Sequence, residues 1–373
     1  MNLIIYTLSN GDRVYKYYKS LVVLFNGERK VLSTAVLNGG YREDLKAVFN
    51  NDGNPGAGMA CVLRAPTYEE HMALIASELG LDPAKTAGIS TAASMDNVSI
   101  QSLSFEELTV TAVVTGGVEV NGGRAGDPAS FHERGGRTEM LTHGTINILL
   151  FIDANLPEGT LARALVTCTE AKAAALQELM AGSNYSSGLA TGSGTDGTIL
   201  ASNAESPLTL TNAGKHSKLG ELIGLVVKAA VKEALFLQTG LCAASQHSVL
   251  KRTKRYGISE ERLWQRFLEG GAEKGQGKAD FLHRLHSLER DRGLVVATSL
   301  LVHILDQLEW GLLDAEEAEA AGSAMIEWMK GEAQKGGGGE AGSGSPRAGE
   351  VCKRLLKDYA AAIAAMAGGG RGV

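Results

Sequence analysis

Long apolar runs are missing from this chain: no segment approaches the roughly 20 consecutive apolar residues that a membrane helix requires. Its start, Met1-Asn2-Leu3-Ile4-Ile5, reaches Asp12 and Arg13 without the basic opening, long apolar stretch and small-residue cleavage site of a secretory signal. Cysteine is scarce. Cys61, Cys168, Cys242 and Cys352 are scattered with no Cys-x-x-Cys pair, so they read as reduced thiols of a cytoplasmic protein. Positive charge is also short: the net charge is -6, and no basic run is longer than Lys251-Arg252-Thr253-Lys254-Arg255. A general nucleic-acid binder shows a stronger basic footprint, so neither nucleic acid nor membrane is an expected partner. Glycine, by contrast, is abundant: 47 of 373 residues, about 13% where about 7% is usual. Loops of special backbone geometry and a tail must account for the excess. With 44% hydrophobic residues the length allows two domains or one large domain with an appendage, and either could bury a sizeable core.

The first third reads as strands. Short β-rich runs at 3–8, 13–18, 21–26 and 30–36 are punctuated by Asn10-Gly11 and Asn26-Gly27, and Asn-Gly between apolar runs predicts hairpins and a meander. A helix is expected at 42–49 and another at 67–80, where Thr67 can cap and Glu69 and Glu70 suit the first turn. Strands are expected at 87–92, 98–104 and 108–118. Gly144–Ile152 is rich in apolar and β-branched residues, as in a strand buried on both faces, and leads into a helix to about 181. On that helix Leu161, Leu165, Cys168, Ala175 and Leu179 form one stripe, with Arg163, Thr167, Glu170 and Gln177 on another face. A strand at 198–202 and a helix at 217–238 follow.

These elements predict a layered α/β or α+β core with mixed sheet and long covering helices over residues 1–240. A helical subdomain is expected over 241–330, with helices near 243–256, 259–269, 278–310 (broken at Gly293) and 315–330. Residues 331–349 have a flexible-linker composition, and 350–373 a short helix and tail. Residues 331–373 are on this reading dispensable for chemistry.

Three glycine-rich polar segments sit between strong elements. TGGVEVNGGRAGD (115–127) supplies Asn121, Arg124 and Asp127; a decorated loop in which Arg124 and Asp127 pair with each other is an equally good account of it. GLATGSGTDG (188–197) carries Thr191, Ser193, Thr195 and Asp196, yet ends without Gly-Lys-Ser/Thr and opens no dinucleotide fingerprint; a hairpin turn at Thr195-Asp196-Gly197 is the plainer alternative. AGKHSKLGELIG (213–224) crowds Lys215, His216 and Lys218 at a helix start, where cations are disfavoured by about 0.3–1 kcal/mol each, an arrangement that suits a bound anion or a developing oxyanion. His132, Glu133, His143, Glu170 and Asp153 lack metal-ligand spacing, so neither a metal site nor a cofactor is expected. His283 and His286, one helical turn apart, read as a solvated face.

Taken in order, TAVLNGG (34–40), TAGISTAASMDN (86–97), TAVVTGGVEVNGGRAGDPA (111–129), GTINILLFIDANL (144–156), TEAKAAALQELM (169–180), SSGLATGSGTDG (186–197), AGKHSKLGELIG (213–224) and QTGL (238–241) resemble the adenosylcobinamide amidohydrolase family, known as CbiZ. The resemblance spans most of residues 20–240. It implies a salvage enzyme that hydrolyses the amide joining the aminopropanol arm of adenosylcobinamide to the corrin ring, releasing adenosylcobyric acid. A corrinoid is then the partner, and a homo-oligomer is compatible with the sequence. The alternative is a non-catalytic corrinoid carrier or sensor.

Amide hydrolysis needs an activated water or nucleophile, an oxyanion support and a proton for the leaving amine. The expected assignment has Asp196, or failing it Asp127, activating water, Lys218 and the helix amides holding the oxyanion, and His216 protonating the amine. Gly117, Asn121, Arg124, Asn147, Ser193, Thr195 and Glu221 would bind substrate or order the carboxylates. A covalent nucleophile at Ser193 or Thr195 is the mechanistic runner-up.

Overall fold

The computed structural model describes residues 3–54, 56, 63–129, 145–270, 277–330 and 348–368. Its contacts divide the chain into two compact units, Met1–Cys242 and Ala243–Val373.

The first unit opens with β1 (Leu3–Thr7), β2 (Arg13–Tyr17) and β3 (Ser20–Leu24), an antiparallel meander. At Asn26-Gly27 the chain does not return as a hairpin, contrary to the expectation. It leaves for a second sheet, where β4 (Arg29–Ser33) and β5 (Gly40–Arg42) pair with each other. The crossing is held by a buried ion pair: Arg29 Nε and Nη2 donate to Asp12 at 2.9 and 2.8 Å, and the Asn26 amide donates to the same carboxylate at 2.7 Å.

The expected helix at 42–49 is also corrected, because β6 (Ala47–Asp52) lies there instead, antiparallel to β3. Glu43, Asp44, Leu45 and Lys46 have helical propensity, but a sheet slot with Val48 and Phe49 buried on opposite faces overrides it. Helix α1 (Tyr68–Glu78) follows, with Thr67 and Glu70 forming a capping box. It leads to β7 (Thr86–Thr91), which pairs parallel with β6.

The chain then returns to the second sheet through β8 (Ser99–Phe105), β9 (Leu108–Gly116) and the short β10 (Gly122–Gly123). Strand β11 (Ile146–Ile152), helix α2 (Glu158–Glu178), the short β12 (Gly192–Ser193), strand β13 (Gly197–Asn203) and helix α3 (Lys218–Thr239) complete the unit. The five-stranded sheet runs β1-β2-β3-β6-β7 and the six-stranded sheet β5-β4-β13-β11-β9-β8, both mixed.

Strand alternation sorts the side chains into three apolar layers. Even-numbered Val110, Ala112, Val114, Ile146, Ile148, Leu150 and Leu200 pack against α2 and α3. Odd-numbered Val113, Leu149, Phe151, Ile199 and Ala201 face Val14, Leu21, Val23, Val48, Ala87 and Ile89 of the other sheet. On that sheet's outer side Val22 and Phe49 pack under Met72, Ile75 and Ala76 of α1. The order of layers is helix, sheet, sheet, helices. The stripe expected on α2 is present at Leu161, Cys168, Ala175 and Leu179. Thr167, expected on the polar face, is buried because its hydroxyl donates to the Ala213 carbonyl at 2.7 Å.

The second unit is helical: α4 (Val249–Thr253), α5 (Glu260–Glu269), α6 (Lys278–Leu288), α7 (Arg292–Glu309), α8 (Ala315–Met329) and α9 (Ala348–Ala367). Residues 243–248 are not helical, since Ser248 caps α4 through the Lys251 amide at 3.0 Å. The break expected at Gly293 falls before it, where Asp291 caps α7. Helix α9 contributes Val351, Leu355, Tyr359 and Ile363 to the core of this unit. The Tyr359 hydroxyl lies 2.9 Å from that of Thr298.

Candidate active site

The first two glycine-rich segments are joined. β10 and β12 pair as Gly122 with Ser193 and Gly123 with Gly192, and the Thr191 amide donates to the Gly123 carbonyl at 2.9 Å. Tyr185 donates to Asn121 Oδ1 at 2.7 Å and the Ala125 amide to Thr191 Oγ1 at 2.9 Å. Asp127 holds this loop together. Its Oδ2 accepts from the Ser183 hydroxyl at 2.6 Å and the Arg124 amide at 2.7 Å. Burial pushes its carboxyl up, but the Ser183, Ser186 and Arg124 amide hydrogen bonds and the Arg124 charge bring it below its ordinary value. The Arg124 guanidinium turns instead to the Leu189 carbonyl, at 3.2 Å.

Asp196 sits at the start of β13 on the face that looks toward α2. Its Oδ1 accepts the Ile146 amide at 2.9 Å and the Ser193 hydroxyl at 2.7 Å, its Oδ2 accepts the Ser193 amide at 3.1 Å, and Lys172 Nζ forms an ion pair with it. The two side chains are 11% and 13% exposed, so this pair is screened far less than a surface bridge. Gly192 is needed here, because a methyl group on it would collide with the Asp196 carboxylate and the Lys172 ammonium. Sequence reasoning missed Lys172. Its signal is positional: it lies four residues after Cys168 and four before Leu176, both buried, on the inward stripe of α2.

On the opposite face of the same strand ends, between the two sheets, polar side chains replace the apolar ones. Asn147 Nδ2 donates to Asn50 Oδ1 at 2.7 Å and to the Ser90 carbonyl at 3.0 Å, and its Oδ1 accepts the Gly197 amide at 3.0 Å. Asn50 Nδ2 donates in turn to Thr115 Oγ1 at 2.8 Å. This buried amide network bridges the sheets and makes a polar floor. One alternation step outward, Thr145 and Thr195 meet through their hydroxyl oxygens at 2.8 Å, beside Gly117, whose amide donates to the Thr145 carbonyl. The same step on the facing sheet carries Asp52 and Thr91, paired in register. Asp52 Oδ1 accepts the Asn54 amide at 2.8 Å. Burial pushes the Asp52 carboxyl above its ordinary value, outweighing that hydrogen bond and the Lys19 charge.

The third segment lies elsewhere. The Asn155 amide donates to the Leu208 carbonyl and the Leu210 amide to that of Asn155, which ties the connection preceding α3 to the far end of β11. That strand has seven residues, about 20 Å at the usual rise, and Asp196 adjoins its other end. Lys218 is exposed, 2.6 Å from Glu221 and with its ammonium 4.6 Å from the centre of the Phe105 ring. Lys215 pairs with Glu170 at 3.0 Å. Arg163, Asn212, Gly214, Lys215, His216 and Ser217 line an open cleft of about 710 Å³. The structure thus brings Asp196, Asp127, Gly117, Asn121, Arg124, Asn147, Ser193 and Thr195 to one end of the sandwich and leaves His216, Lys218 and Glu221 apart from them. Of the other candidates, Asp153 accepts from Asn203 at 2.8 Å and His286 meets Glu260 at 2.8 Å, while His132, Glu133 and His143 lie outside the described residues. Among the described residues no group of three His, Cys, Asp or Glu could hold a metal ion, and no helix is long and apolar enough to cross a membrane.

Fold and site together define a two-sheet α/β protein whose sequence-expected polar candidates gather, for the greater part, at one end of the sandwich. A model of the adenosylcobinamide amidohydrolase family matches residues 5–243, and the chain belongs to that family. An uncharacterised protein of Methanocaldococcus jannaschii is 34% identical over 238 residues, 61% of this chain and 89% of that protein. An adenosylcobinamide amidohydrolase of Methanosarcina mazei is 29% identical over 230 residues, 60% of this chain and 98% of that protein. A solved structure of a Pyrococcus horikoshii protein aligns over 69% of this chain and 91% of that one, with 14% identity and a TM-score of 0.34.

Proposed function

We propose that this chain hydrolyses the amide between the aminopropanol arm and the corrin ring of adenosylcobinamide, giving adenosylcobyric acid for corrinoid salvage in the cytoplasm. The observation that carries this is the outer layer of the sandwich mouth, where Thr145, Thr195, Asp52 and Thr91 stand on an amide floor of Asn50 and Asn147. Hydroxyls and a carboxylate of raised proton affinity supply what acyl transfer needs, and membership of an amidohydrolase family supports the substrate class. Gly117 adjoins Thr145, and Asn121, Arg124 and Ser193, on the loops at the same end of the sandwich, meet the corrin-edge amides. Asn147 orders the floor. Asp196, tied to Lys172, Ser193 and the Ile146 amide, serves as an anchor of the strand start in place of the water-activating base expected of it, and Asp127 as an anchor of the loop.

Mass spectrometry after incubation with adenosylcobinamide tests the function. A new corrinoid carboxylic acid and free aminopropanol are the expected products. Retention of the corrinoid without turnover would make the protein a carrier. Because Lys218 and His216 lie apart from the mouth, Lys218→Met and His216→Ala are expected to leave kcat within a few-fold of wild type. A loss of about 10²-fold in either, the scale of a missing oxyanion donor, would return the reaction to the 212–217 cleft.

A further inference from the structure

We propose that the Thr145 hydroxyl is the nucleophile of this reaction and Asp52 its proton carrier; the inference rests on reading the chain as an amide hydrolase. Thr145 continues the alternation of β11 one step beyond Asn147, so its side chain belongs to the face between the sheets. Its position is doubly determined. Thr195 holds the hydroxyl at 2.8 Å, and the next backbone amide, that of Ile146, is held by Asp196, itself paired with Lys172 behind the sheet.

Across the gap, Asp52 stands one step beyond Asn50 on β6, as Thr145 does beyond Asn147, and the Asn50 to Asn147 hydrogen bond of 2.7 Å shows that the sheets are within side-chain reach here. Packed sheets lie about 10 Å apart, so a Thr and an Asp facing each other across the gap bring a hydroxyl and a carboxylate to one place, against which an amide arriving from the end of the sheets can lie. Thr145 is itself 4% exposed, whereas Thr195 and Asp52 are half-buried, so the nucleophile is the most protected of the three.

The steps balance. Thr145 Oγ1 forms a bond to the amide carbon as its proton passes to the Asp52 carboxylate. Asp52 returns that proton to the nitrogen as the C–N bond breaks, releasing aminopropanol and leaving a corrinoid ester on Thr145. Water then attacks the ester carbon and gives a proton to Asp52. Asp52 delivers it to the Thr145 oxygen as the C–O bond breaks, yielding the carboxylic acid and the free hydroxyl.

The test uses the full chain and adenosylcobinamide. Thr145→Val, which keeps the shape and removes the hydroxyl, should lower kcat by about 10³-fold or more while corrinoid binding and the melting temperature stay near wild type. Thr145→Ser should retain measurable turnover. Acid-quenched wild-type protein should carry the corrinoid acyl group on the peptide containing Thr145, a readout that does not depend on the folding of a variant. Product formation by wild type with no adduct on that peptide, or Thr145→Val turning over within 10-fold of wild type, would overturn the nucleophile and leave the hydrolase standing. No product from wild type would sink both. Asp52→Asn should slow turnover by about 10²-fold or more, the usual range for a lost acid-base group, and retention of full kcat would remove Asp52 from the scheme.

Discussion

Lys172→Met is expected to lower kcat by about 10²-fold while corrinoid affinity stays within a few-fold of wild type. The lysine is a positioning residue. Its ammonium neutralises Asp196, and Asp196 in turn fixes the Ile146 amide next to Thr145 and both the hydroxyl and the amide of Ser193. Removing the cation leaves a partly buried carboxylate held by neutral donors alone, and its contacts reorganise. That reorganisation shifts the start of β11, and a displacement of about 1 Å at a reacting group is enough for a loss of this size. The same change should destabilise the first unit by about 2 kcal/mol, between the scales for an exposed and a fully buried pair, seen as an earlier urea transition of similar slope. A merely structural lysine would give the stability loss alone. Lys172→Met with wild-type kcat at temperatures well below its melting point would therefore separate Asp196 from the chemistry.

Ending the chain after Lys330 is expected to unfold the second unit. Linker composition argues that residues 331–373 are dispensable for chemistry, but for stability they are not, because α9 is part of a core. Val351 and Tyr359 are 0% exposed and Leu355 and Ile363 1%. Removing four such side chains forfeits about 1.5–3 kcal/mol each, a sum comparable to the whole stability of a small domain, about 5–15 kcal/mol. Phe267 and Phe281, stacked at 5.2 Å in the same helical unit, would lose neighbouring cover with it. The measurements are circular dichroism and limited proteolysis: helical signal should fall by more than the 20 residues of α9 account for, and cleavage should concentrate in 243–330. A truncated chain with intact, protease-resistant helices over that range would show the remaining helices to be self-sufficient.

The site repeats the same pattern of legible and hidden parts. Asp196, Asn121, Arg124 and Ser193 were visible as polar residues in glycine-rich turns, because such turns announce themselves by composition. Thr145, Asn50 and Asp52 were not, since each is an ordinary polar residue at or beside the end of an apolar strand, and only the facing of two sheets makes them neighbours. Lys172 was hidden among alanines on a helix, where one cation reads as a solvated face until the strand beneath it is known. The cluster at Lys215, His216 and Lys218 lies apart from the other two segments, which its sequence does not reveal, for a complementary reason. Its local electrostatics are unusual, but a local sign says nothing about which end of a sheet the helix start occupies.

By itself the sequence determined most of the elements, the mixed α/β character of the first unit and the helical character of the second, because periodicity, caps and Asn-Gly turns act over a few residues. The tertiary structure decided which strands share a sheet, turning the Asn26-Gly27 hairpin into a crossing and the 42–49 helix into β6. Strand pairing and sheet stacking bring together residues far apart in the chain, as Asn50 with Asn147 and Asp12 with Arg29. Such partners satisfy each other's polar groups only once both are withdrawn from water, a condition that no local pattern records.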